Sequence, residues 1–341
     1  MTRVAINGLG RIGRAVLKII VDRPELELVA INDLIATDNL AYLLKYDTVY
    51  GRYSKEVKDS KNSLIISDRE YRVFNEKDPA KLPWKDLNID LVFECSGVFR
   101  HKEELEKHLQ AGAKKVILSA PAKSESIPSV VYGVNEIPSE DAIISCASCT
   151  TNCITPVVEV IGRRIGIKKA MMTTVHAYTA SQGLVDGPSK KFTRGRAAAA
   201  NFVPTTTGAA KATTEILPQY EGKFDGVAVR GPVAVGSICD TIFVTEKAVS
   251  VEDINQIFRE EAESDKYRGI LGVSEDPLVS SDIIRDSRAS IVDLNMTQVV
   301  DGDLVKVMSW YDNEWGYAAQ MVKVAQSLAN VGKEAKQAVQ V

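Results

Sequence analysis

The chain has 341 residues, of which 45% are hydrophobic and 26% are charged, and its formal net charge at pH 7 is −3. This is the composition of a globular protein, and the length suffices for two domains that each bury a core. The small negative net charge predicts no nucleic-acid surface. The sequence has neither an apolar run of membrane-spanning length nor a targeting segment at its start, so we expect a cytoplasmic protein without a membrane partner.

A glycine-rich turn follows the first strand pattern of the chain. Val4–Ile6 is an apolar run, Arg14–Val21 has the periodicity of a helix, and Gly8, Gly10 and Gly13 between them have the spacing G-x-G-x-x-G. In this context glycines permit a tight turn, a close approach of the backbone to a pyrophosphate, and close packing of helix on strand. The turn therefore predicts a dinucleotide site, which includes the neighbouring Asn7.

An aspartate follows the second apolar run, Leu26–Ile31. Asp33 lies 20 residues after Gly13, where a carboxylate can accept hydrogen bonds from the 2′-hydroxyl of a ribose. A carboxylate there would also repel a 2′-phosphate, so Asp33 favours NAD over NADP. The alternative is an aspartate that only caps a turn.

Strand-like and helix-like patterns alternate through the first 148 residues, which predicts a Rossmann-type, doubly wound parallel sheet. The strand-like runs are Val4–Asn7, Leu26–Asn32, Ser63–Ser67, Tyr71–Phe74, Leu91–Cys95, Lys115–Leu118 and Ser129–Val134. The helix-like runs are Arg14–Val21, Thr37–Leu44 and Lys102–Ala111. Ser96 and Ser119 each follow a strand pattern, and ligands bind at the carboxyl ends of such strands, so we expect both serines on the cofactor side.

A cysteine in the middle of the chain is the candidate nucleophile. Cys149 lies between Ser148 and Thr150, and an apolar, helix-like run follows. If the helix begins at or just after Cys149, the N–H groups of its first turn favour the thiolate, which is the nucleophilic form. The alternative is a cysteine that only packs in the first turn. We expect packing or supporting roles, and no metal site, for Cys95, Cys146, Cys153 and Cys239.

The patterns change after Cys149 and predict an α+β domain with a mostly antiparallel sheet. The strand-like runs are Ala170–His176, Gly226–Val229, Ile238–Thr245, Ile291–Leu294 and Leu304–Trp310. The helix-like runs are Ile154–Arg164, Gly208–Leu217, Val251–Glu263 and Ala318–Asn330. We expect residues 1–148 and the C-terminal helix (315–341) to form the nucleotide-binding domain and residues 149–314 the catalytic domain. Lys333–Val341 is expected to be a frayed tail.

His176 follows an apolar strand, 27 residues beyond Cys149. A cysteine and a histidine can form a nucleophile and its base. Their spacing does not establish that they meet, and a structural histidine at the end of a strand is the alternative. The aperiodic, basic segment 178–204 has the length of a functional loop.

Six segments share a pattern with one known family: Ala5–Arg14, Ala147–Asn152, Thr174–Thr179, Asp186–Pro188, Thr207–Ala212 and Ser309–Tyr317. Together, in this order and spacing, they resemble the phosphorylating glyceraldehyde-3-phosphate dehydrogenases. The resemblance implies NAD-dependent oxidation and phosphorylation of glyceraldehyde 3-phosphate to 1,3-bisphosphoglycerate, a reaction of glycolysis and gluconeogenesis, through a thioester on Cys149. It also implies a homotetramer, with the 178–204 loop at a subunit interface.

The resemblance further implies roles for individual residues. Cys149 attacks the aldehyde carbon, and His176 takes the thiol proton and then stabilises the oxyanion. The residues matching the substrate-phosphate site are Thr179, Ser181 and Arg230. Those matching the inorganic-phosphate site are Ser148, Thr207, Gly208 and an arginine of the loop, for which we choose Arg194, with Arg196 as its rival. Thr150 neighbours the reacting centre. Asn313 corresponds to the residue that orients the nicotinamide amide, and Arg11, Ile12 and Lys77 correspond to other cofactor contacts. With the residues assigned above from the turn and the strand ends, the predicted cofactor set is Asn7, Gly8, Gly10, Arg11, Ile12, Gly13, Asp33, Lys77, Ser96, Ser119 and Asn313.

Two departures from the family pattern bear on function. Ser181 stands where threonine or an acid is common, and Gly231–Ser237 differs from the usual Val-Pro-Thr-Pro-Asn pattern. The alternatives are an erythrose-4-phosphate dehydrogenase and a non-catalytic, dinucleotide-binding regulator. Thr207-Gly208 and the His176–Thr179 segment favour the glyceraldehyde enzyme over the first. Retention of both Cys149 and His176 argues against the second.

Overall fold

The computed structural model describes residues 1–338, and the chain divides into two compact units. Unit 1 comprises Met1–Tyr132, Glu136–Ala147 and Ala318–Val341, and unit 2 comprises Gly133–Asn135 and Ser148–Tyr317. Residues 339–341, the end of the predicted tail, lie outside the described residues. Among the helices of residues 1–338, none is long and apolar enough to cross a membrane.

Unit 1 is built on a sheet with the strand order β10-β9-β8-β1-β2-β7-β6-β5. The strands are β1 (Thr2–Asn7), β2 (Leu26–Asn32), β3 (Tyr46–Asp47), β4 (Gly51–Arg52), β5 (Val57–Ser60), β6 (Ser63–Ile66), β7 (Arg69–Phe74), β8 (Leu91–Glu94), β9 (Lys115–Leu118) and β10 (Ile143–Ser145). The helices are α1 (Arg11–Ile20), α2 (Thr37–Lys45) and α3 (Lys102–Gln110). Pairing is parallel from β10 to β7 and antiparallel from β7 to β5, while β3 and β4 pair separately. The predicted Rossmann-type sheet is therefore confirmed, with an antiparallel edge in addition.

The order of these strands predicts where unit 1 binds a ligand. The chain runs from β1 to β2 on one side, and later returns to β8 on the other side of β1, so the direction of winding reverses at β1. In open α/β sheets, ligands bind at the carboxyl ends of the strands at such a point. Val4, Ala5 and Ile6 of β1 are fully buried, as expected of a parallel strand that is covered on both faces.

One predicted strand of unit 1 is wrong. Ser129–Val134 forms no strand, and only Ser129 makes an isolated bridge, to Ser145. Val130 and Val131 are nevertheless fully buried, because this segment packs as irregular chain against the sheet. The strand at this edge is the short β10, which the pattern did not predict.

Unit 2 contains a second sheet, with the strand order β12-β13-β11-β14-β18-β16-β15 and β17 paired to β18. The strands are β11 (Ile167–Ala177), β12 (Val203–Thr206), β13 (Phe224–Gly231), β14 (Ser237–Thr245), β15 (Leu271–Ser274), β16 (Ser290–Asp293), β17 (Gln298–Val300) and β18 (Leu304–Tyr311). The helices are α4 (Cys149–Arg164), α5 (Ala209–Ile216) and α6 (Val251–Glu263). Only β11 with β13 and β15 with β16 are parallel among the described pairs, which confirms a mostly antiparallel sheet.

Several helix bounds differ from the sequence-based prediction. Helix α4 begins at Cys149, ahead of the apolar run that starts at Ile154, so the cysteine lies in the first turn, as the nucleophile interpretation requires. Helix α7 (Trp315–Ala338) begins before the predicted Ala318, and its backbone remains helical beyond Asn330 as far as Ala338. The apolar pattern therefore underestimates both helices, since terminal turns need no apolar face.

Candidate active site

Cys149 is held at the N-terminus of α4 by a serine cap. Ser148 has an extended backbone, and its Oγ accepts a hydrogen bond from the N–H of Thr151 at 3.1 Å. This contact satisfies one of the N–H groups that a helix leaves unpaired at its start. Cys149 is the first residue of the helix and is partly exposed.

His176 lies beside Cys149, although the two residues come from different elements. His176 is the penultimate residue of β11, and its Nε2 lies 3.4 Å from Sγ of Cys149. Its Nδ1 lies 2.6 Å from the carbonyl oxygen of Ala177, which can only accept a hydrogen bond. In the tautomer that donates from Nδ1 to this carbonyl, the lone pair of Nε2 faces the thiol. This is the arrangement of a nucleophile and its base.

Burial favours the neutral forms of both groups. It raises the pKa of the Cys149 thiol to about 11, although the charge of Arg230 acts to lower it. It lowers the pKa of His176 to about 3, and the charge of Arg230 acts in the same direction. The expected stabilisation of the thiolate by the helix N-terminus is therefore outweighed by desolvation. A neutral imidazole is the form that can accept the thiol proton when attack begins.

Arg230 adjoins this pair because β13 runs parallel to β11, with Arg230 in register with His176. Its Nη1 donates to the carbonyl of Ala177 at 2.9 Å and lies 2.8 Å from Nδ1 of His176. Its Nε is buried without a hydrogen-bond partner among the described residues, and burial lowers the pKa of the guanidinium. A desolvated cation with an unused donor is well suited to an anionic ligand.

A tyrosine that the sequence analysis did not single out supports the pair from beneath. The buried hydroxyl of Tyr311 makes hydrogen bonds with Thr150 at 2.9 Å and Thr174 at 2.8 Å. The ring of Tyr311 meets the ring of His176 edge-on, with centroids 5.9 Å apart. Tyr311 belongs to the Ser309–Tyr317 segment, and this membership is the sequence feature that could have identified it as a site residue.

Two arginines of the 178–204 loop differ in environment. Nε of Arg194 donates to Oγ1 of Thr205 at 3.0 Å, and its charge acts on the pKa values of both Arg230 and His176. Arg196 instead forms an exposed ion pair with Asp186. The structure thus brings Arg194, and not Arg196, toward the Cys149 site.

The remaining predicted anion ligands lie on two further segments of unit 2. Thr179 and Ser181 follow β11, and their hydroxyl oxygens are 3.0 Å apart. Oγ1 of Thr207 accepts from the N–H of Ala209 at 3.2 Å, and Gly208 is the N-cap of α5. Hydroxyl groups and a helix N-terminus are suitable anion donors.

The glycine turn of unit 1 has the shape that the sequence predicts. Gly8 has φ +93°, and a Cβ there would lie 2.6 Å from the Cα of Ser96. A Cβ on Gly13 would lie 1.9 Å from the carbonyl oxygen of Gly8. Gly10 caps α1 without a side chain and faces open space. This cradle, which side chains would fill, fits a dinucleotide phosphate group.

A pocket of about 530 Å³ lies over this turn, within the size range of cofactor sites. Its lining includes six of the predicted cofactor residues: Asn7, Gly8, Gly10, Asp33, Lys77 and Ser96. Arg11, Ile12, Gly13 and Ser119 do not line it.

Two predicted cofactor residues outside this lining make other contacts. Arg11 begins α1, but its guanidinium forms an ion pair with Asp47. Asn313 belongs to unit 2, where its Oδ1 accepts hydrogen bonds from Gly236 and Ser237.

Asp33 lies at the edge of the pocket and also supports the glycine turn. Its Oδ2 accepts from the N–H of Leu9 at 2.6 Å, and its Oδ1 accepts from the N–H of Ile35 at 2.9 Å. Each carboxylate oxygen has a second lone pair for another donor. The ribose and turn-cap interpretations of Asp33 are thus compatible.

A doubly wound unit with a dinucleotide turn, and a second unit with a cysteine–histidine pair, define a dehydrogenase of the class that uses NAD and a cysteine nucleophile. Residues 2–102 match the sequence model of the NAD binding domain of glyceraldehyde 3-phosphate dehydrogenase, and residues 148–313 match that of its C-terminal domain. The chain therefore belongs to the glyceraldehyde-3-phosphate dehydrogenase family.

Relatives with this family name are similar over almost their full length. The glyceraldehyde-3-phosphate dehydrogenase of Thermotoga maritima is 52% identical over 96% of this chain and 99% of its own. That of Geobacillus stearothermophilus is 46% identical over 97% of this chain and 99% of its own. Glyceraldehyde-3-phosphate dehydrogenase 1 of Bacillus subtilis has the same identity and coverage.

Proposed function

We propose that this chain is an NAD-dependent, phosphorylating glyceraldehyde-3-phosphate dehydrogenase that acts in the cytoplasm. The observation that carries the proposal is the 3.4 Å contact between Cys149 and His176 beside the half-buried cation of Arg230. The family match over both halves of the chain supports it, and neither erythrose-4-phosphate dehydrogenase nor a non-catalytic regulator is favoured.

In the first step, Sγ of Cys149 forms a bond to the aldehyde carbon, and its proton moves to Nε2 of His176. The resulting imidazolium stabilises the former carbonyl oxygen and then transfers its proton to it, and the product is a hemithioacetal on Cys149. Bound NAD supplies the acceptor for the hydride that leaves this carbon as the thioester forms. His176 takes the hydroxyl proton during that oxidation, so it acts as base and as oxyanion partner.

In the second step, an oxygen of inorganic phosphate bonds to the thioester carbon and the carbon–sulfur bond breaks. The acyl phosphate, 1,3-bisphosphoglycerate, leaves, and the thiolate of Cys149 takes back the proton that His176 gained during the oxidation, which regenerates the thiol. A thioester retains enough free energy of acyl transfer to acylate phosphate, whereas an ester on a serine would retain less. The cysteine therefore serves both as nucleophile and as leaving group.

Two anion sites follow from the charges of unit 2. For the substrate phosphate we assign Arg230, Thr179 and Ser181, supported by the unused, buried donor of Arg230. For inorganic phosphate we assign Ser148, Arg194, Thr207 and Gly208, with Thr150 next to the reacting carbon. The electrostatic effect of Arg194 on His176 supports this choice over Arg196.

The glycine turn, Asp33, Lys77 and Ser96 would hold NAD in unit 1, with Asn7, Arg11, Ile12, Gly13 and Ser119 as further members of the cofactor set. Asn313 would orient the nicotinamide amide. Its Oδ1 accepts two hydrogen bonds within unit 2, which leaves its amide nitrogen to donate.

We assign residues 1–148 with the helix of 315–341 to the NAD-binding domain, residues 149–314 to the catalytic domain, and the whole chain to a homotetramer. Large apolar side chains exposed on the second sheet and in the 178–204 loop support oligomerisation: Met171, Val227, Ile242, Phe192 and Phe202. Sedimentation equilibrium tests the subunit number, and a monomer would contradict it.

The activity is tested by the absorbance of NADH with glyceraldehyde 3-phosphate, NAD and phosphate. We expect Cys149→Ser to abolish the reaction, because serine ionises far less readily than cysteine, whose reference pKa is about 8.5. Cys146→Ser, which changes a buried thiol three residues away, is the matched control. Activity that survives Cys149→Ser, or that prefers erythrose 4-phosphate, would contradict the proposal.

A further inference from the structure

A buried carboxylate lies beneath the cofactor pocket of unit 1. Glu94 ends β8, and its side chain is 0% exposed. Its Oε1 accepts hydrogen bonds from the backbone N–H of Ser96 at 2.8 Å and from Oγ of Ser96 at 2.5 Å. Its Oε2 accepts from Nδ2 of Asn7 at 2.5 Å and contacts Nε2 of His108 at 3.0 Å. Four polar groups therefore converge on one carboxyl group.

The tautomer of His108 follows from its second contact. His108 lies on α3, is fully buried, and has its Nδ1 3.0 Å from Nε1 of Trp84. An indole N–H can only donate, so Nδ1 of His108 accepts and carries no proton. Nε2 must then carry the single ring proton and donate it to Glu94. His108 is thus neutral, because a second proton on Nδ1 would oppose the N–H of Trp84.

Three of the four groups around Glu94, the N–H of Ser96, Nδ2 of Asn7 and Nε2 of His108, are donors, and the fourth is the hydroxyl of Ser96. Two carboxyl oxygens offer about four lone pairs, so the four contacts use the hydrogen-bonding capacity of Glu94 fully. The four hydrogen bonds satisfy a buried carboxyl group that has no cationic partner in this cluster. Loss of any donor would be costly at a site with no access to water.

The same cluster holds the segments that line the pocket. Asn7 donates to Glu94 and accepts from Nδ2 of Asn32 at 2.7 Å, while Oδ1 of Asn32 accepts from the N–H of Glu76 at 2.9 Å. Oγ of Ser96 also accepts from the N–H of Val98 at 3.2 Å. The ends of β1, β2 and β8 and the segment after β7 are thus joined by one chain of hydrogen bonds.

The backbone of Ser96 also forms one wall of the glycine turn, since a Cβ on Gly8 would collide with it. Any movement of Ser96 would change the shape of that turn. Glu94 fixes Ser96 at two atoms, and His108 and Trp84 fix Glu94 in turn.

We propose that Glu94, His108 and Trp84 are positioning residues that hold the NAD pocket in its binding shape before the cofactor arrives. The inference rests on the proposed function, because it takes NAD as the ligand. The three side chains act through Ser96 and Asn7 and themselves touch no cofactor. They lower the conformational cost of binding, so their loss weakens affinity for the adenosine half of NAD.

The test compares three variants of the full-length enzyme. His108→Leu removes the donor to Glu94, and His108→Gln restores an N–H donor without a ring. Leu105→Ala, the control, leaves a cavity under the same helix but belongs to a different hydrophobic cluster from Trp84 and removes no hydrogen bond. Dissociation constants for NAD and for ADP-ribose are measured by calorimetry, well below the unfolding temperature of each variant.

We expect His108→Leu to weaken both ligands by about 5- to 30-fold, the effect of one unsatisfied buried hydrogen-bonding group. The KM for NAD should rise by a similar factor while kcat stays within about twofold, because positioning acts on binding and not on the reacting groups. His108→Gln should recover most of the affinity. Hydrogen exchange at Ser96 and Val98 should be faster in His108→Leu and unchanged in Leu105→Ala.

Glu94→Gln is the second probe, should His108→Leu fail to fold. An amide nitrogen in place of one carboxyl oxygen would face the N–H of Ser96 in one orientation and the donors of Asn7 and His108 in the other, so at least one contact between two donors arises and a loss of affinity is expected. Equal affinities in wild type and all variants would overturn the inference, as would an equal loss in Leu105→Ala. A wild-type protein that binds no NAD would instead overturn the proposed function.

Discussion

Nε2 of His176 lies 3.4 Å from Sγ of Cys149, while Nδ1 of the same ring is held by the carbonyl of Ala177 at 2.6 Å. The second contact holds the ring in an orientation in which Nε2 faces the thiol. The end of β11 and the start of α4 therefore form a preorganised pair before any substrate is present.

His176→Asn should slow acylation by about 10²- to 10⁴-fold, because an amide cannot accept the thiol proton as the imidazole does. The measurement is the first burst of NADH in a rapid-mixing experiment. His101→Asn, which changes a surface histidine at the start of α3, should retain the wild-type burst. An unchanged burst in His176→Asn would assign His176 a structural role.

Arg230→Gln should shift the reactivity of Cys149 to higher pH. Burial raises the pKa of this thiol to about 11, and the charge of Arg230 is the largest effect in the opposite direction. Removing the charge raises the pKa further, so the thiolate forms at higher pH. The rate of alkylation by iodoacetamide, measured against pH, reports the midpoint. Arg196→Gln, which changes an exposed and ion-paired arginine, should leave the midpoint in place.

The glycine turn and the placement of Cys149 at a helix start could be predicted from the sequence because both are local. Spacing over a few residues determines the turn, and a serine followed by a helical run determines the cap. The contact between Cys149 and His176 depends on how β11 packs against α4, which no local pattern contains.

Two further features were beyond sequence reasoning for physical reasons. Desolvation of Cys149 is a property of the packed site, and it reverses the direction of the pKa shift that the helix N-terminus alone would give. The cluster around Glu94 joins residues from four separate segments. His108 appears in the sequence as an ordinary helix residue, and only its two buried contacts identify it.

Asp33→Asn should lower the preference for NAD over NADP. The amide retains one oxygen that can accept from the glycine turn, but it no longer repels a 2′-phosphate. The measurement is the ratio of kcat/KM for NAD to that for NADP. Asp38→Asn, in the first turn of α2, is the control and should leave the ratio unchanged. If Asp33→Asn also leaves it unchanged, Asp33 serves only the turn.

Arg230→Ala should weaken the use of phosphorylated aldehyde selectively. A charge-assisted hydrogen bond contributes roughly 1.5–3 kcal/mol, equivalent to about 10- to 150-fold in kcat/KM. Unphosphorylated glyceraldehyde has no group for this arginine to hold, so its kcat/KM should change much less. An equal loss with both aldehydes would indicate that Arg230 mainly supports the ends of β11 and β13.

Arg194→Ala should raise the KM for inorganic phosphate, and Arg196→Ala should not. Arg194 is half-buried, contacts Thr205, and exerts its charge on His176 and Arg230, whereas Arg196 is exposed and neutralised by Asp186. Loss of one charge-assisted contact should raise this KM by about 10-fold or more. The KM is measured by varying phosphate at saturating aldehyde and NAD.

Acylation by aldehyde without phosphate should continue in both variants, because it precedes phosphate attack. A larger effect in Arg196→Ala would mean that the exposed ion pair with Asp186 opens to bind the anion, and would reverse the assignment.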